Sequence, residues 1–286
     1  MKRCFVFLIL TSTYLTSFSQ NFHIGLFGGI ANYQGDLTDK AYVKNSTKGA
    51  GGISLQYEVT ERFMLRGGFT YAKITGNDDF NTKTYLQLRN LDFTSSLAEI
   101  SVLGEYSIFN IYNIRWTPYV FGGLAVFRFN PYTFDTEHNK VFLKPLTTEG
   151  QGLEGYNNKP YSLTQVALPF GGGVKYAIND NIRVGAEIGI RKTFTDYLDD
   201  VSTNYADPVD LMEQRGQQAV DFAYRGDEVP GGNPAYPLKG DQRGGAEQKD
   251  LYYFTGLNLT FRLGGGYGST FASKNGRSRL GCPKVF

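Results

Sequence analysis

The sequence predicts an all-β fold: an eight-stranded antiparallel transmembrane β-barrel with long extracellular loops and a periplasmic C-terminal tail. Three observations carry this. Apolar and polar residues alternate with period two through segment after segment, as in strands that keep one face on apolar surroundings. The chain is rich in glycine (35 of 286 residues) and is 15% aromatic, while its mean hydropathy of -0.31 reflects the lack of any long apolar run in the mature part. The connections alternate between long and short, which is the asymmetry of outer-membrane barrels with short periplasmic turns and long external loops.

Residues 1–19 read as a signal peptide. Lys2 and Arg3 form a positive n-region, Cys4 to Leu10 an apolar h-region, and Ser17 and Ser19 have the small-residue spacing of a cleavage site before Gln20. The apolar run is far shorter than the roughly 20 residues that span a bilayer. Cys4 also precedes the h-region, where a lipoprotein cysteine would follow it. Cleavage lowers Lys+Arg from 29 to 27 against 27 Asp+Glu, so the mature chain is formally neutral and no nucleic-acid partner is expected. It also leaves Cys282 as the only cysteine, in an oxidising compartment, where a leftover thiol points to a partner chain.

The barrel is placed at 20–263, with strands at 22–34, 47–59, 62–75, 93–108, 115–129, 161–178, 181–195 and 250–263. The alternation is clearest where Val166, Leu168, Phe170, Gly172, Val174, Tyr176 and Ile178 share one face. In the next strand Ile182, Val184, Ala186, Ile188 and Ile190 oppose Arg183, Gly185, Glu187, Gly189 and Arg191. The pattern recurs at Ile53, Leu55, Tyr57 and Val59, at Ile100, Val102, Gly104, Tyr106 and Ile108, and at Leu257, Leu259, Phe261 and Leu263. Thr60-Glu61, 110–114 and Asn179-Asp180 are the tight turns; 35–46, 76–92, 130–160 and 196–249 are the long loops.

A soluble lipocalin-like barrel or a sandwich also has short alternating strands, but its charges would lie outside. Here Glu58, Arg66, Glu99, Glu105, Arg183, Glu187, Arg191 and Arg262 share a face with glycine and small polar residues, nearly balanced in sign. They are expected to pair inside the lumen as a structural plug, since eight strands leave an interior that side chains fill. The opposite face meets outer-membrane lipid, with Tyr57, Tyr106, Trp116, Tyr119, Tyr176 and Tyr253 as interfacial girdles. Gly256, Leu259 and Phe261 of the final strand have the spacing of a barrel-insertion signal.

Loop 196–249 carries 11 acidic and 5 basic residues. Asp207-Pro208 ahead of Val209 has the form of a helix start, so a short helix or two is expected over the mouth. Asp196, Asp199 and Asp200 lack the regular spacing of a calcium loop and are read as turn caps paired with Arg191 or Lys192; no metal or cofactor is expected. Arg225-Gly226-Asp227 is an adhesion tripeptide by spelling alone. The mature chain has only His23 and His138, neither with a serine and acid partner, and no nucleophile elbow or phosphate loop, so no enzyme is predicted.

Tyr33-Gln34-Gly35-Asp36, Phe129-Asn130-Pro131, the run Pro169 to Tyr176 (PFGGGVKY) and above all the string Arg191 to Ser202 (RKTFTDYLDDVS) resemble the PorG-like outer-membrane barrels of Bacteroidetes. The resemblance spans nearly the whole mature chain. It implies a non-catalytic component of the type IX protein secretion machinery, which in some bacteria supports gliding, linked to a periplasmic ring formed by a lipoprotein and its partner. The tail 264–286 begins as a Gly-rich spacer and carries Lys274, Arg277, Arg279 and Lys284 without an acid. It is expected to dock on an acidic surface of the ring, with Cys282 in an intermolecular disulfide to the lipoprotein. The alternative is a surface adhesin that acts through loops 130–160 and 196–249, with the tail dispensable.

Overall fold

A computed structural model describes residues 21–40 and 42–263. The signal peptide and the tail, with Arg277, Arg279, Cys282 and Lys284, lie outside the described residues. Eight long strands form the wall: β1 (Phe22–Gln34), β2 (Lys48–Glu58), β3 (Phe63–Asn77), β4 (Asp92–Ser107), β5 (Trp116–Arg128), β8 (Thr164–Ala177), β9 (Ile182–Thr193) and β10 (Leu251–Arg262). Each pairs antiparallel with the next, and β1 pairs with β10 from His23↔Arg262 to Gln34↔Leu251, which closes an eight-stranded barrel with no free edge. The observed strand ends lie within three residues of those read from the alternation.

Between β5 and β8 the chain departs from a plain loop. Two short strands, β6 (Pro131–Phe134) and β7 (Lys140–Phe142), form a hairpin. β6 takes over the edge of β4 where β5 leaves it, pairing Thr94 with Tyr132 and Ser95 with Pro131. Four residues and three residues are too short for a period to register in the sequence.

The tight turns are built from local side-chain bonds. Asn179 Oδ1 accepts from the N–H groups of Asn181 (2.9 Å) and Ile182 (2.8 Å), and Asn110 Oδ1 accepts from Tyr112 N–H (2.9 Å). Thr60 Oγ1 accepts from Phe63 N–H at 3.0 Å. All three turns lie at one end of the barrel; the long connections lie at the other.

The two faces of the wall differ as the alternation requires. Ile53, Val102, Val120, Leu124, Ile188 and Leu257 project outward and are exposed, Leu257 to 67%. A band of this extent on a closed barrel is not compatible with water and is the lipid-facing surface of a membrane-spanning barrel. At the turn end it is edged by aromatic residues in cross-strand register: Phe22 with Tyr57 (rings 4.9 Å apart), Phe63 with Tyr106, and Trp116 with Tyr176. Tyr253 also lies on the outer face but at the loop end, half-buried. Tyr119 does not belong to the girdle. It is only 1% exposed and donates a hydrogen bond to Glu187 across the lumen at 2.7 Å, because it alternates with the outward Val120.

Inward glycines let rings lie against the wall. A Cβ on Gly171 would stand 2.2 Å from the Ile188 carbonyl oxygen and 2.8 Å from the Phe121 ring, so no larger residue fits. The membrane reading has a direct consequence: Leu257→Arg should destabilise the barrel in lipid vesicles by about 2–4 kcal/mol, read from urea unfolding. A water-facing position would leave the midpoint unchanged.

Candidate functional site in the lumen and the cap

The lumen is a ladder of buried charges. Nearest the turns, Arg183 pairs with Glu58 (3.2 Å), which also lies 3.7 Å from His23 and accepts a hydrogen bond from Tyr112. Above it Lys175 pairs with Glu105, then Arg66 with Glu187 (2.8 Å), then Arg191 with Glu99 (3.2 Å). Each cation also faces a ring: Arg183 and Tyr112 at 5.3 Å, Lys175 and Tyr119 at 4.5 Å, Arg66 and Phe121 at 4.8 Å, Arg191 and Phe254 at 4.2 Å. A carboxylate and a quadrupole together replace the water each cation has lost.

The structure thus brings together Glu58, Arg66, Glu99, Glu105, Arg183, Glu187 and Arg191. Arg262 lies on the same face at the turn end, 6.0 Å from the Tyr112 ring. Lys175, which sequence reasoning passed over, is 4% exposed and completes the set. Its signal was present, because it alternates with Val174 and Tyr176. The cavity between Arg66, Glu187, Arg191 and Asn258 holds about 30 Å³, room for a single water and not a channel.

Above the Arg191 tier the lumen turns apolar and continues without a break into the long loops. Phe93, Leu97, Phe127, Phe129 and Tyr252 from the wall form one cluster with Leu143, Leu198, Val201, Leu211 and Phe222 from the loops. Phe129, Tyr161 and Tyr197 stack in parallel, with centroids 6.2 and 4.8 Å apart. Loop 194–250 contributes two helices, α2 (Pro208–Arg215) and α3 (Gln217–Ala223); a short turn, α1 (Thr84–Gln87), precedes them in another loop. The expected start at Asp207 is formed, its side chain accepting from Val209 N–H at 2.9 Å. The loops are therefore a folded cap on the barrel mouth.

Two buried arginines tie the cap together. Arg243 pairs with Glu149 (3.1 Å) and donates to the main-chain oxygens of Asp200 (2.7 Å) and Ala223 (3.1 Å). Glu149 in turn accepts from the N–H groups of Ser202 and Thr203. Arg89 forks onto Asp78 (2.7 and 2.6 Å) and donates to the main chain of Asp36 at 3.2 Å. The expected pairing of Asp196, Asp199 and Asp200 with Arg191 or Lys192 is not found. Asp196 accepts from Ser202, Asp199 from Tyr33 and Val201, and Asp200 from Thr148 and Tyr161. Arg191 points into the lumen instead, where Glu99 and Phe254 hold it. Burial pushes Asp196 and Asp200 up to about 6, and Asp199 and Asp250 well above the usual carboxylate range.

Arg225-Gly226-Asp227 is not presented as a free tripeptide: Arg225 is held by Asp92 (2.6 Å) and Glu228 (2.9 Å), and Gly226 is buried. His138 lies in the β6–β7 turn with φ 65°. Among the described residues no group of three His, Cys, Asp or Glu is placed to hold a metal.

The ladder predicts a non-additive response. Glu187→Leu, which strands Arg66, should cost about 3–5 kcal/mol in urea unfolding, and adding Arg66→Met should restore most of it. Additive losses would show that the pair is not coupled. In planar bilayers the protein should show no stable ion conductance, since ion pairs fill the lumen and the loops pack over its mouth.

Among solved structures the fold is similar to Neisserial surface protein A, with a TM-score of 0.42 and 10% identity over 85% of this chain and 97% of that one. It is similar also to Ail of Yersinia pestis, solved with the heparin analogue sucrose octasulfate (TM-score 0.38, 9% identity, 84% and 98% covered). OprG of Pseudomonas aeruginosa gives a TM-score of 0.39 at 10% identity, with 85% and 97% covered. Similarity at this level says nothing of function. No curated protein matches the sequence. Residues 2–213 match the model of a family described as a domain of unknown function, DUF6089, and the chain belongs to that family.

Proposed function

We propose that the protein is a non-catalytic outer-membrane component of the type IX protein secretion machinery, and of gliding where that machinery drives it. In this role it anchors a periplasmic ring, formed by a lipoprotein and its partner, to the outer membrane. The observation that carries the reading is the sealed lumen. A barrel whose interior is filled by ion pairs and whose mouth is packed shut works by contact and not by passage. The string Arg191 to Ser202, the most specific part of the resemblance to PorG-like barrels, runs from the lumen into the buried base of the cap.

The end of β10 at Arg262 lies beside His23, at the end that carries the tight turns. On this reading that end is the periplasmic one, as expected for a barrel of this asymmetry, and the tail after Leu263 lies there. There Arg277, Arg279 and Lys284 steer the tail to an acidic surface of the ring, and Cys282 forms a disulfide with the lipoprotein.

A second reading, a surface adhesin, is favoured by one feature of the cap. An open groove of about 510 Å³ runs between α3 and the β6–β7 turn, with Asp135, Gln217, Asp221, Tyr224, Asp227 and Tyr236 along it.

Gentle purification from outer membranes without reductant separates the two. The secretion reading expects a periplasmic lipoprotein that co-purifies as a reducible adduct and is lost or weakened in Cys282→Ser. Recovery of both forms alone, with surface ligands captured through the cap, would replace it with the adhesin.

A further inference from the structure

Where the cap meets the barrel mouth, the phenol of Tyr33 stands between two carboxyl groups. Its Oη lies 2.5 Å from Asp199 Oδ2 and 3.1 Å from Asp250 Oδ1. A phenol has one hydrogen and can donate it to only one of them. The remaining oxygens are taken: Asp199 Oδ1 accepts from Val201 N–H and Asp250 Oδ2 from Leu198 N–H, both at 2.9 Å. All three side chains are 1% exposed, so water does not compensate. The arrangement is fully hydrogen-bonded only if the second carboxyl is itself protonated and donates to the phenol oxygen.

The surroundings favour that proton. Asp36, on the loop after β1, accepts from Gly245 N–H (2.9 Å); Asp196 accepts from Ser202 Oγ (2.7 Å) and leaves its other oxygen without a partner. None of Asp36, Asp196, Asp199 and Asp250 has an ion-pair partner among the described residues. The nearby cations are committed elsewhere: Arg89 to Asp78, Arg243 to Glu149, and Lys249 to the main chain of Ala246. Glu149 adds further negative charge beside Asp36 and Asp196.

We infer that Asp199, Tyr33 and Asp250 hold one shared proton at neutral pH, and that its loss unlatches the cap from the barrel mouth. Tyr33 belongs to β1, Asp250 precedes β10, and Asp199 sits in the loop that carries α2 and α3, so this node joins two wall strands to the cap. When the proton passes to bulk base, two anions are left around a single hydroxyl hydrogen, beside Asp36 and Asp196. The side of the node released on unlatching is the Leu198–Val201 stretch, where the N–H groups of Leu198 and Val201 are its other tethers. The sign follows from burial. Both acids are raised above their ordinary range, so the latch is complete at low pH and weakens as pH rises through the folded-state value.

The test is an infrared titration of the full folded barrel in vesicles, combined with amide hydrogen exchange corrected for the intrinsic pH dependence. A protonated-carboxyl C=O band should persist at neutral pH. Asp250→Asn and Asp199→Asn should each abolish it, because removing either carboxyl leaves Tyr33 a single anion to serve. Exchange at Leu198 and Val201 should accelerate about tenfold or more with rising pH in the wild type. It should stay flat in Asp250→Asn, whose amide donates to the phenol at any pH. Absence of the band in the wild type, or exchange in Asp250→Asn that tracks the wild type, overturns the inference. Should neither variant fold, the wild type alone decides: the band and the protection must be lost with one midpoint, and separate midpoints refute the latch.

Discussion

Everything in this molecule depends on the closing of a sheet around an interior too narrow for water to fill. Eight strands leave room for side chains and little else. Once the outer face is committed to lipid, the inner face must carry the polar residues of every strand, and the charged ones pair across the lumen. Burying a charge costs several kcal/mol unless it is paired and hydrogen-bonded. The ladder Arg183–Glu58, Lys175–Glu105, Arg66–Glu187 and Arg191–Glu99, each step with a ring against the cation, is the solution the chain adopts. It locks the strands in one register, because a slip of one residue would turn every charge toward lipid.

The same constraint shapes the loops. An apolar layer above the Arg191 tier would meet water if the barrel ended there. The long connections fold over it and share their core with the wall, from Phe127 and Tyr252 below to Leu198 and Phe222 above. Barrel and cap are one hydrophobic unit. The acids at their junction are buried as a result, and Arg89 and Arg243 neutralise only part of that charge. The filled lumen and the packed mouth make barrel and cap one rigid unit.

Much of the wall was legible in the sequence, for a simple reason: period two is a local property, written in the residues of each strand. The strands, the face each residue takes, the tight turns at 60–61, 110–114 and 179–180, and the helix start at Asp207 all rest on neighbours a few positions apart. Lys175 was passed over and Tyr119 misread as a girdle residue although the alternation that places them inward was in plain view, since one is charged amid an oily strand and the other is aromatic near a strand end. The β6–β7 hairpin left no period to read, and it forms because β4 outruns β5 and its free edge needs a partner.

By itself, then, the sequence determined which segments are strands, which face meets lipid and where charge must be buried. The tertiary structure decided who pairs with whom. Arg66 and Glu187 are 121 residues apart and Arg191 and Glu99 are 92 apart, and they meet only because the tilt and stagger of a closed barrel bring β3 opposite β9 and β9 opposite β4. The aspartates of the 196–200 stretch lie within a few residues of Arg191, yet their partners are Tyr33, Thr148, Tyr161 and Ser202. Sequence neighbours on a strand end point away from each other, into the lumen and into the cap. Which charge neutralises which is a property of closure, and no local pattern encodes it.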